Sequence, residues 1–301
     1  SPSRSVQTLA YEEIRTSDKP FDSTALVIHG VLGSSQYLKP FSGELLSELQ
    51  KSSRSNVWRM VLVDLRNHGR SADLKGFDPP HDMFNAANDL SNLVKCHGWA
   101  WPDVVIGHSM GGKVGLEFIS SCARGDYGES ALSRLWVLDT FLGKINSSDG
   151  ITEVEKILHA MQSLPSSLPS QKWVVNQMIE HGFSKPVSEW IGSNLKESGE
   201  HLTWAFNLQA VIDMFNSYRK FLLVFVGAPT KGLKIDIVRA ENSERWNESV
   251  LQKLADLASK EERSDEGKVL VHVLPNSGHW VQADNPKGLL EIMSSNFISK
   301  D

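Results

Sequence analysis

Val104-Val105-Ile106-Gly107-His108-Ser109-Met110-Gly111-Gly112-Lys113-Val114-Gly115-Leu116 is the stretch on which the fold turns. Its first three residues form an apolar run of strand type, and Gly112 to Ile119 reads as a helix. Between them lies Gly107-His108-Ser109-Met110-Gly111. A serine on a sharp glycine turn from strand to helix is the setting that a Gly-x-Ser-x-Gly nucleophile elbow requires. The two glycines let strand and helix approach closely, and the turn pushes Ser109 into a strained, exposed position. The helix N-terminus behind it favours negative charge near the serine oxygen. The same segment also reads Gly-x-x-x-x-Gly-Lys, the pattern of a phosphate-cradling loop. That loop needs Ser or Thr after the lysine to hold magnesium, whereas Val114 follows here and at least two strand-like runs come earlier.

Outward from this segment, strand and helix alternate. Gln7 to Arg15 reads as an edge strand, and Ala25 to Ile28, Trp58 to Asp64 and Leu135 to Leu138 read as buried strands. Phe41 to Gln50 and His81 to Cys96 have helical spacing. Apolar strands separated by amphipathic helices predict an α/β fold with a parallel sheet covered on both faces. From Ile151 to Ser217 no strand is expected, only helical pieces broken by prolines 165, 169 and 186: Ile151 to Leu164, Trp173 to His181 and Trp204 to Tyr218. A helical insertion between strands of a parallel sheet reads as a cap over a site, the bland alternative being ordinary sheet-covering helices. The expected division is a core over 1–140, a helical cap over 141–218 carrying Trp173, Phe183, Trp190 and Trp204, and the rest of the core over 219–301. Phe221 to Val226, Lys234 to Arg239 and Val269 to Leu274 are the later strand candidates. Glu248 to Lys260 and Pro286 to Phe297 read as helices, and Glu261 to Gly267 as a charged, solvated loop.

At 301 residues, with 40% hydrophobic and 22% charged residues, the chain has room and composition for one large core with an insertion. A net charge of −5 gives no reason to expect nucleic acid or an anionic membrane as partner. No apolar stretch approaches the roughly 20 residues that cross a bilayer. Cys96 and Cys122 are too few for a disulfide framework, lack CxxC spacing, and are expected to be buried thiols in helices. The ten histidines show no metal-ligand spacing, so neither a metal nor another cofactor is expected. The start at Ser1-Pro2 without methionine reads as trimmed or processed. The expectation is an intracellular, soluble, monomeric protein of the cytoplasm, or of a mitochondrial or plastid matrix after loss of a targeting peptide.

A serine hydroxyl is a weak nucleophile until a base takes its proton, and histidine is the usual base. His279, in Asn276-Ser277-Gly278-His279-Trp280, follows the strand Val269 to Leu274. The carboxyl ends of strands in an open parallel sheet are where ligands bind, and Ser109 leaves the sheet at that edge too. His97, His159, His181 and His201 fall in helix-like stretches and His272 within a strand, so packing or surface roles suit them better. His29-Gly30-Val31-Leu32-Gly33 follows Ala25 to Ile28 at the same edge. The amides of Val31 and Met110 are therefore the expected oxyanion hole, each such donor being worth about 3 kcal/mol in the transition state. His29 is expected to organise its loop rather than transfer protons. Leu32, His108 and Trp280 are expected to line the substrate pocket.

Taken together, His-Gly-Val-Leu-Gly-Ser at 29–34, Asp-Leu-Arg-Asn-His-Gly-Arg-Ser at 64–71, Gly-His-Ser-Met-Gly-Gly-Lys at 107–113 and Gly-His-Trp-Val at 278–281 resemble the α/β-hydrolase superfamily. Within it the chain resembles the esterase group that includes bacterial acyl-ester hydrolases and the mitochondrial abhydrolase-domain-containing protein eleven. The resemblance implies a mainly parallel eight-stranded sheet with a helical cap, Ser109 as nucleophile, His279 as base, and Val31 and Met110 as oxyanion donors. It also implies that Asp64, Arg66 and His68 brace loops. The acid partner of His279 stays open. Asp139 ends the strand Leu135 to Leu138 at the correct edge and is preferred, but the family's commoner position is the loop after the following strand. There Glu241 or Glu244, or Ser243 as a non-acidic partner, are the alternatives; Asp236 alternates within its strand and suits less well.

The implied reaction is two-step acyl transfer from a small-molecule ester or thioester to water. Serine at the elbow argues against dehalogenases and epoxide hydrolases, which use aspartate there. A hydrolase-fold ligand receptor with little turnover, or a carbon–carbon bond hydrolase or lyase on the same scaffold, are the rival readings.

Overall fold

The computed structural model describes residues 7–53, 55–128, 132–145, 150–221, 229–259 and 267–297. Its first half runs β1 (Tyr11–Arg15), β2 (Ser23–Ile28), α1 (Ser35–Ser52), β3 (Trp58–Val63), α2 (Met83–Cys96), β4 (Val104–His108), α3 (Met110–Arg124) and β5 (Arg134–Leu138). Between β5 and the next sheet strand come α4 (Glu153–Ser163), α5 (Gln171–Glu180), α6 (Lys185–Gly192), the hairpin β6 (Leu195–Ser198) and β7 (His201–Trp204), and α7 (Leu208–Lys220). The chain then returns through β8 (Lys234–Ala240), α8 (Glu248–Ser259), β9 (Lys268–Leu274), α9 (Val281–Asp284) and α10 (Pro286–Asn296).

The main sheet has the order β1-β3-β2-β4-β5-β8-β9. β1 pairs antiparallel with β3 at one edge and every other pairing is parallel. Side chains alternate between its faces with the two-residue period of a strand. Leu26, Ile28, Val61, Val63, Val105, Leu135, Val137, Ile235 and Ile237 pack toward α2 and α3. Ala25, Val27, Met60, Leu62, Val104, Ile106, Trp136, Leu138 and Val238 pack toward α1 and α10. Burying an aliphatic side chain of this kind contributes about 1.5–3 kcal/mol. Both faces are closed, so the strands read as unbroken apolar runs. The chain leaves β2 toward β3 on one side and returns to β4 on the other, so the loops after β2 and β4 diverge and leave a crevice at the carboxyl edge.

Several expectations need correction. Among the described residues seven strands make up the sheet, and the eighth candidate falls outside them. The strand expected over 221–226 lies outside them apart from Phe221, which caps α7, and the loop expected over 261–267 lies outside them apart from Gly267. The segment expected to lack strands contains the β6–β7 hairpin, so Trp204 and His201 belong to a strand and α7 starts only at Leu208. Pro186 does not break a helix. It sits in the first turn of α6, where its missing N–H costs nothing, behind the Ser184 cap. Cys96 is exposed, while Cys122 is buried as expected.

Candidate active site

Ser109 stands between β4 and α3 with φ 55° and ψ −120°, a conformation that a residue with a Cβ rarely adopts. The surrounding packing holds it there. Its N–H donates to the Leu138 carbonyl (2.9 Å), and its own carbonyl accepts from Thr140 Oγ1 (2.8 Å). The flanking glycines are steric requirements: a Cβ on Gly107 would lie 2.3 Å from the Gly111 carbonyl oxygen, and one on Gly111 would lie 2.4 Å from that of His29.

Three sheet loops bring their side chains together at this turn. The ring of His279, from the loop after β9, lies between Ser109 and Asp139, with Nε2 2.9 Å from Ser109 Oγ and Nδ1 2.8 Å from Asp139 Oδ2. An ionised carboxylate only accepts, so Nδ1 carries the proton and Nε2 is left to accept from the serine hydroxyl. Asp139, at the end of β5, is fully buried, and its Oδ1 accepts from the Ala240 N–H (2.9 Å) and from Trp246 Nε1 (2.6 Å). Burial alone would raise its pKa. Hydrogen bonding and attraction to His279, with the two further donors, outweigh burial and hold the pKa below the usual carboxylate value. Burial and the neighbouring Arg245 push His279 down to about 4, against the pull of Asp139.

The alternatives to Asp139 are engaged elsewhere. Glu241 Oε2 accepts from the Asn276 N–H (2.9 Å) and Glu244 Oε1 from the Glu153 N–H (3.1 Å), both on exposed residues. Ser243 is buried, but its hydroxyl has no partner among the described residues. Asp236 is gripped by Arg134 (2.6 Å) and His272 (2.7 Å) on the α1/α10 face of the sheet.

The loop after β2 runs beside the serine: a Cβ on Gly30 would lie 3.1 Å from Ser109 Cβ. His29 keeps it in shape. Its Nδ1–H donates to the Gly30 carbonyl (2.7 Å) and its Nε2 accepts from the Leu65 amide (3.0 Å). The Val31 amide has no acceptor among the described residues. Met110 opens α3, so its N–H lacks an intrahelical acceptor. Asp64 accepts from the Ser35 amide (2.7 Å), Arg66 forks onto Asp89 (2.6 and 2.8 Å), and His68 Nε2 accepts from the Leu32 amide (3.1 Å). All three brace loops around the crevice.

Of the expected pocket residues, Leu32 is buried in the core and lines neither cavity near the serine. His108 touches the small cavity, but its Nε2–H is committed to the His279 carbonyl (2.8 Å) and burial takes its pKa down to about 3. Trp280 lines both cavities. The one at Ser109 measures only about 10 Å³ and is walled by Tyr37, Val154, Trp190 and Trp280. The other, about 870 Å³, lies beyond His279 and Trp280 and is bounded by α4 and by the loops after α5 and β8. The rings of Trp190 and Trp280 meet at 5.2 Å, joining α6 to the histidine loop.

Three residues here escaped the sequence reading. Trp246 holds Asp139, Arg245 Nη1 donates to the Tyr218 hydroxyl (3.1 Å), and Tyr218 is buried beside Ser109. Arg245 and Trp246 follow a strand at the carboxyl edge, which was the available signal. Tyr218 sits on a helix whose spacing reads simply as packing. Lys113, the residue that suggested a phosphate loop, is buried and donates to the carbonyls of Gly143 (2.8 Å), Tyr218 (2.7 Å) and Phe221 (3.0 Å). All three of its protons are used on backbone oxygens, and burial together with Arg245 lowers its pKa to about 7. Among the described residues no cluster of three or more His, Cys, Asp or Glu side chains could hold a metal ion, and no helix is long and apolar enough to cross a membrane.

A mostly parallel sheet with a strained serine between strand and helix at its switch point is the framework of the α/β hydrolases. The model of the alpha/beta hydrolase family matches residues 25–292, and the chain belongs to that family. It is similar to the mouse protein described as sn-1-specific diacylglycerol lipase ABHD11, with 24% identity over 89% of this chain and 78% of that one. The zebrafish (Danio rerio) protein of the same description is 25% identical over 91% of this chain and 77% of its own. Among solved structures, a marine microorganism esterase superposes with a TM-score of 0.72 at 19% identity, covering 96% of this chain and 98% of that one. The resemblance stated from the motifs is therefore upheld.

Proposed function

We propose that this hydrolase is a serine esterase that cleaves carboxylic ester or thioester bonds of a small-molecule substrate through an acyl-enzyme. The observation that carries this reading is the unbroken relay from Ser109 Oγ through His279 to a buried carboxylate, at 2.9 and 2.8 Å. Ser109 attacks the carbonyl while His279 Nε2 takes its proton, and Asp139 stabilises the imidazolium. The Val31 and Met110 amides hold the oxyanion. His279 then protonates the departing alcohol or thiol, and water repeats the sequence to release the acid. The segment 141–218 acts as a cap, since its Val154 and Trp190 wall the cavity at the serine. The description of the mouse and zebrafish relatives as lipases supports an acyl ester as substrate.

The test is labelling with a fluorophosphonate probe, together with hydrolysis of a panel of p-nitrophenyl esters. Labelling and turnover that both vanish in Ser109→Ala are expected. A folded wild-type protein that is neither labelled nor active would instead be a ligand-binding member of the family.

A further inference from the structure

Four arginines are buried among the described residues: Arg59, Arg66, Arg134 and Arg245. Three of them meet a carboxylate. Arg59 lies 3.5 Å from Glu13, while Arg66 and Arg134 present the Nε and Nη2 edge of the guanidinium to both oxygens of Asp89 and Asp236. Arg245 differs. It is 7% exposed, its Nη1 donates to Tyr218 Oη (3.1 Å), and its Nε and Nη2 edge has no acceptor among the described residues. A buried cation without a counter-charge is costly, because desolvation is not repaid.

The location of Arg245 adds to the case. Its chain neighbours are Glu244, which lines the large cavity, and Trp246, which holds Asp139. Tyr218, its single hydrogen-bond partner, interacts with the Ser109 side chain. Besides Tyr218, which it touches, His279, His108 and Lys113 lie within range of its charge. Asp139 is the carboxylate of this cluster, and it is already taken by His279, Ala240 and Trp246. Arg245 and Lys113 therefore share the region with one committed anion. The fixed positive charge also opposes formation of the His279 imidazolium, on which acyl transfer depends. An anion brought by the substrate would cancel that opposition.

We propose that Arg245 is a specificity residue that receives a carboxylate carried by the substrate near its scissile bond, so that the preferred substrates are monoesters or monothioesters of dicarboxylic acids. A carboxylate is favoured because its two oxygens match the free Nε and Nη2 edge, as Asp89 and Asp236 do for Arg66 and Arg134. This rests on the serine-esterase reading.

The experiment uses matched p-nitrophenyl esters: the fumarate monoester against crotonate, and the adipate monoester against hexanoate, each rate divided by that ester's uncatalysed rate. Turnover of the neutral esters tests the esterase reading alone, and absence of turnover and of fluorophosphonate labelling would fell that reading rather than this one. Given turnover, a preference of about tenfold or more in kcat/KM for the charged member of at least one pair is expected, since a charged hydrogen-bonded pair is worth about 1.5–3 kcal/mol. Arg245→Gln should erase the preference and Arg245→Lys should keep part of it. Equal rates within both pairs, or an Arg245→Gln effect of the same size on charged and neutral esters, would overturn the proposal, the latter leaving Arg245 as a positioning group for Tyr218. Should Arg245→Gln fail to fold, wild-type protein decides: the monoamides of fumarate and adipate, which keep one free carboxylate, should slow labelling of Ser109 where the neutral crotonamide and hexanamide do not, and no difference would overturn the proposal.

Discussion

Asp139 combines a φ of 44° with complete burial and three hydrogen-bonded contacts. Such a strained, desolvated carboxylate persists only where its surroundings over-determine it. Asp139→Asn would leave the shape intact but offer His279 the wrong partner. We expect kcat to fall by about 10⁴-fold, as when the analogous hydrogen bond is altered in a serine protease. Glu241→Gln, which alters an exposed contact to Asn276, should change kcat less than about threefold. Steady-state hydrolysis of a p-nitrophenyl ester reads both. The same residues set the pH profile. In the proposed mechanism His279 must be neutral to act as base, and its pKa is lowered to about 4. Activity should therefore stay level as pH falls through 6.5, the ordinary histidine value, and decline only toward pH 4. A kcat/KM limb centred near 6.5 would contradict the burial and charge described around the ring.

At the scale of elements, legibility followed how much of a segment's character is local. β2, β3, β4 and β5 are continuous apolar runs because both faces of the sheet are covered, and burial of that kind is written directly into residue type. The hairpin is different. Leu195-Lys196-Glu197-Ser198 and His201-Leu202-Thr203-Trp204 bury only Trp204, so polar residues mask the strands. The remaining signal is the two-residue turn opened by Gly199 at φ 63°. Ser109 and His279 could be read because strand ends announce them. Tyr218 could not, since its importance comes from tertiary approach. Helix α6 offers a test of its own. Trp190 closes a cavity of only about 10 Å³ over the serine, roughly the space of one water. Trp190→Ala should open it toward the larger cavity, raising kcat/KM for decanoate relative to acetate esters by about tenfold or more, the order expected when a pocket admits a few more methylenes.

For the molecule as a whole, buried histidines make stability depend on acid. His68 and His108 are lowered to about 3 and His279 to about 4. Between those values and about 6.5 the unfolded chain binds more protons at these sites than the folded one, so stability rises with pH and is lost as pH falls. Each such histidine contributes a slope of up to about 1.4 kcal/mol per pH unit across that window. Urea unfolding at pH 7.5, 6.5 and 5.5 should show a modest drop over the first step and one about three times larger over the second. A midpoint independent of pH across the series would sink this account.

Lys113 reaches from the nucleophile helix to the carbonyl of Gly143, just after β5, and to those of Tyr218 and Phe221, where α7 ends. Those oxygens belong to the two ends of the inserted segment, and they are main-chain atoms. The grip therefore places no demand on side-chain identity at either junction. Side chains between the junctions can therefore change without loosening these three bonds, and one ammonium group ties both ends of the segment to the helix that follows Ser109.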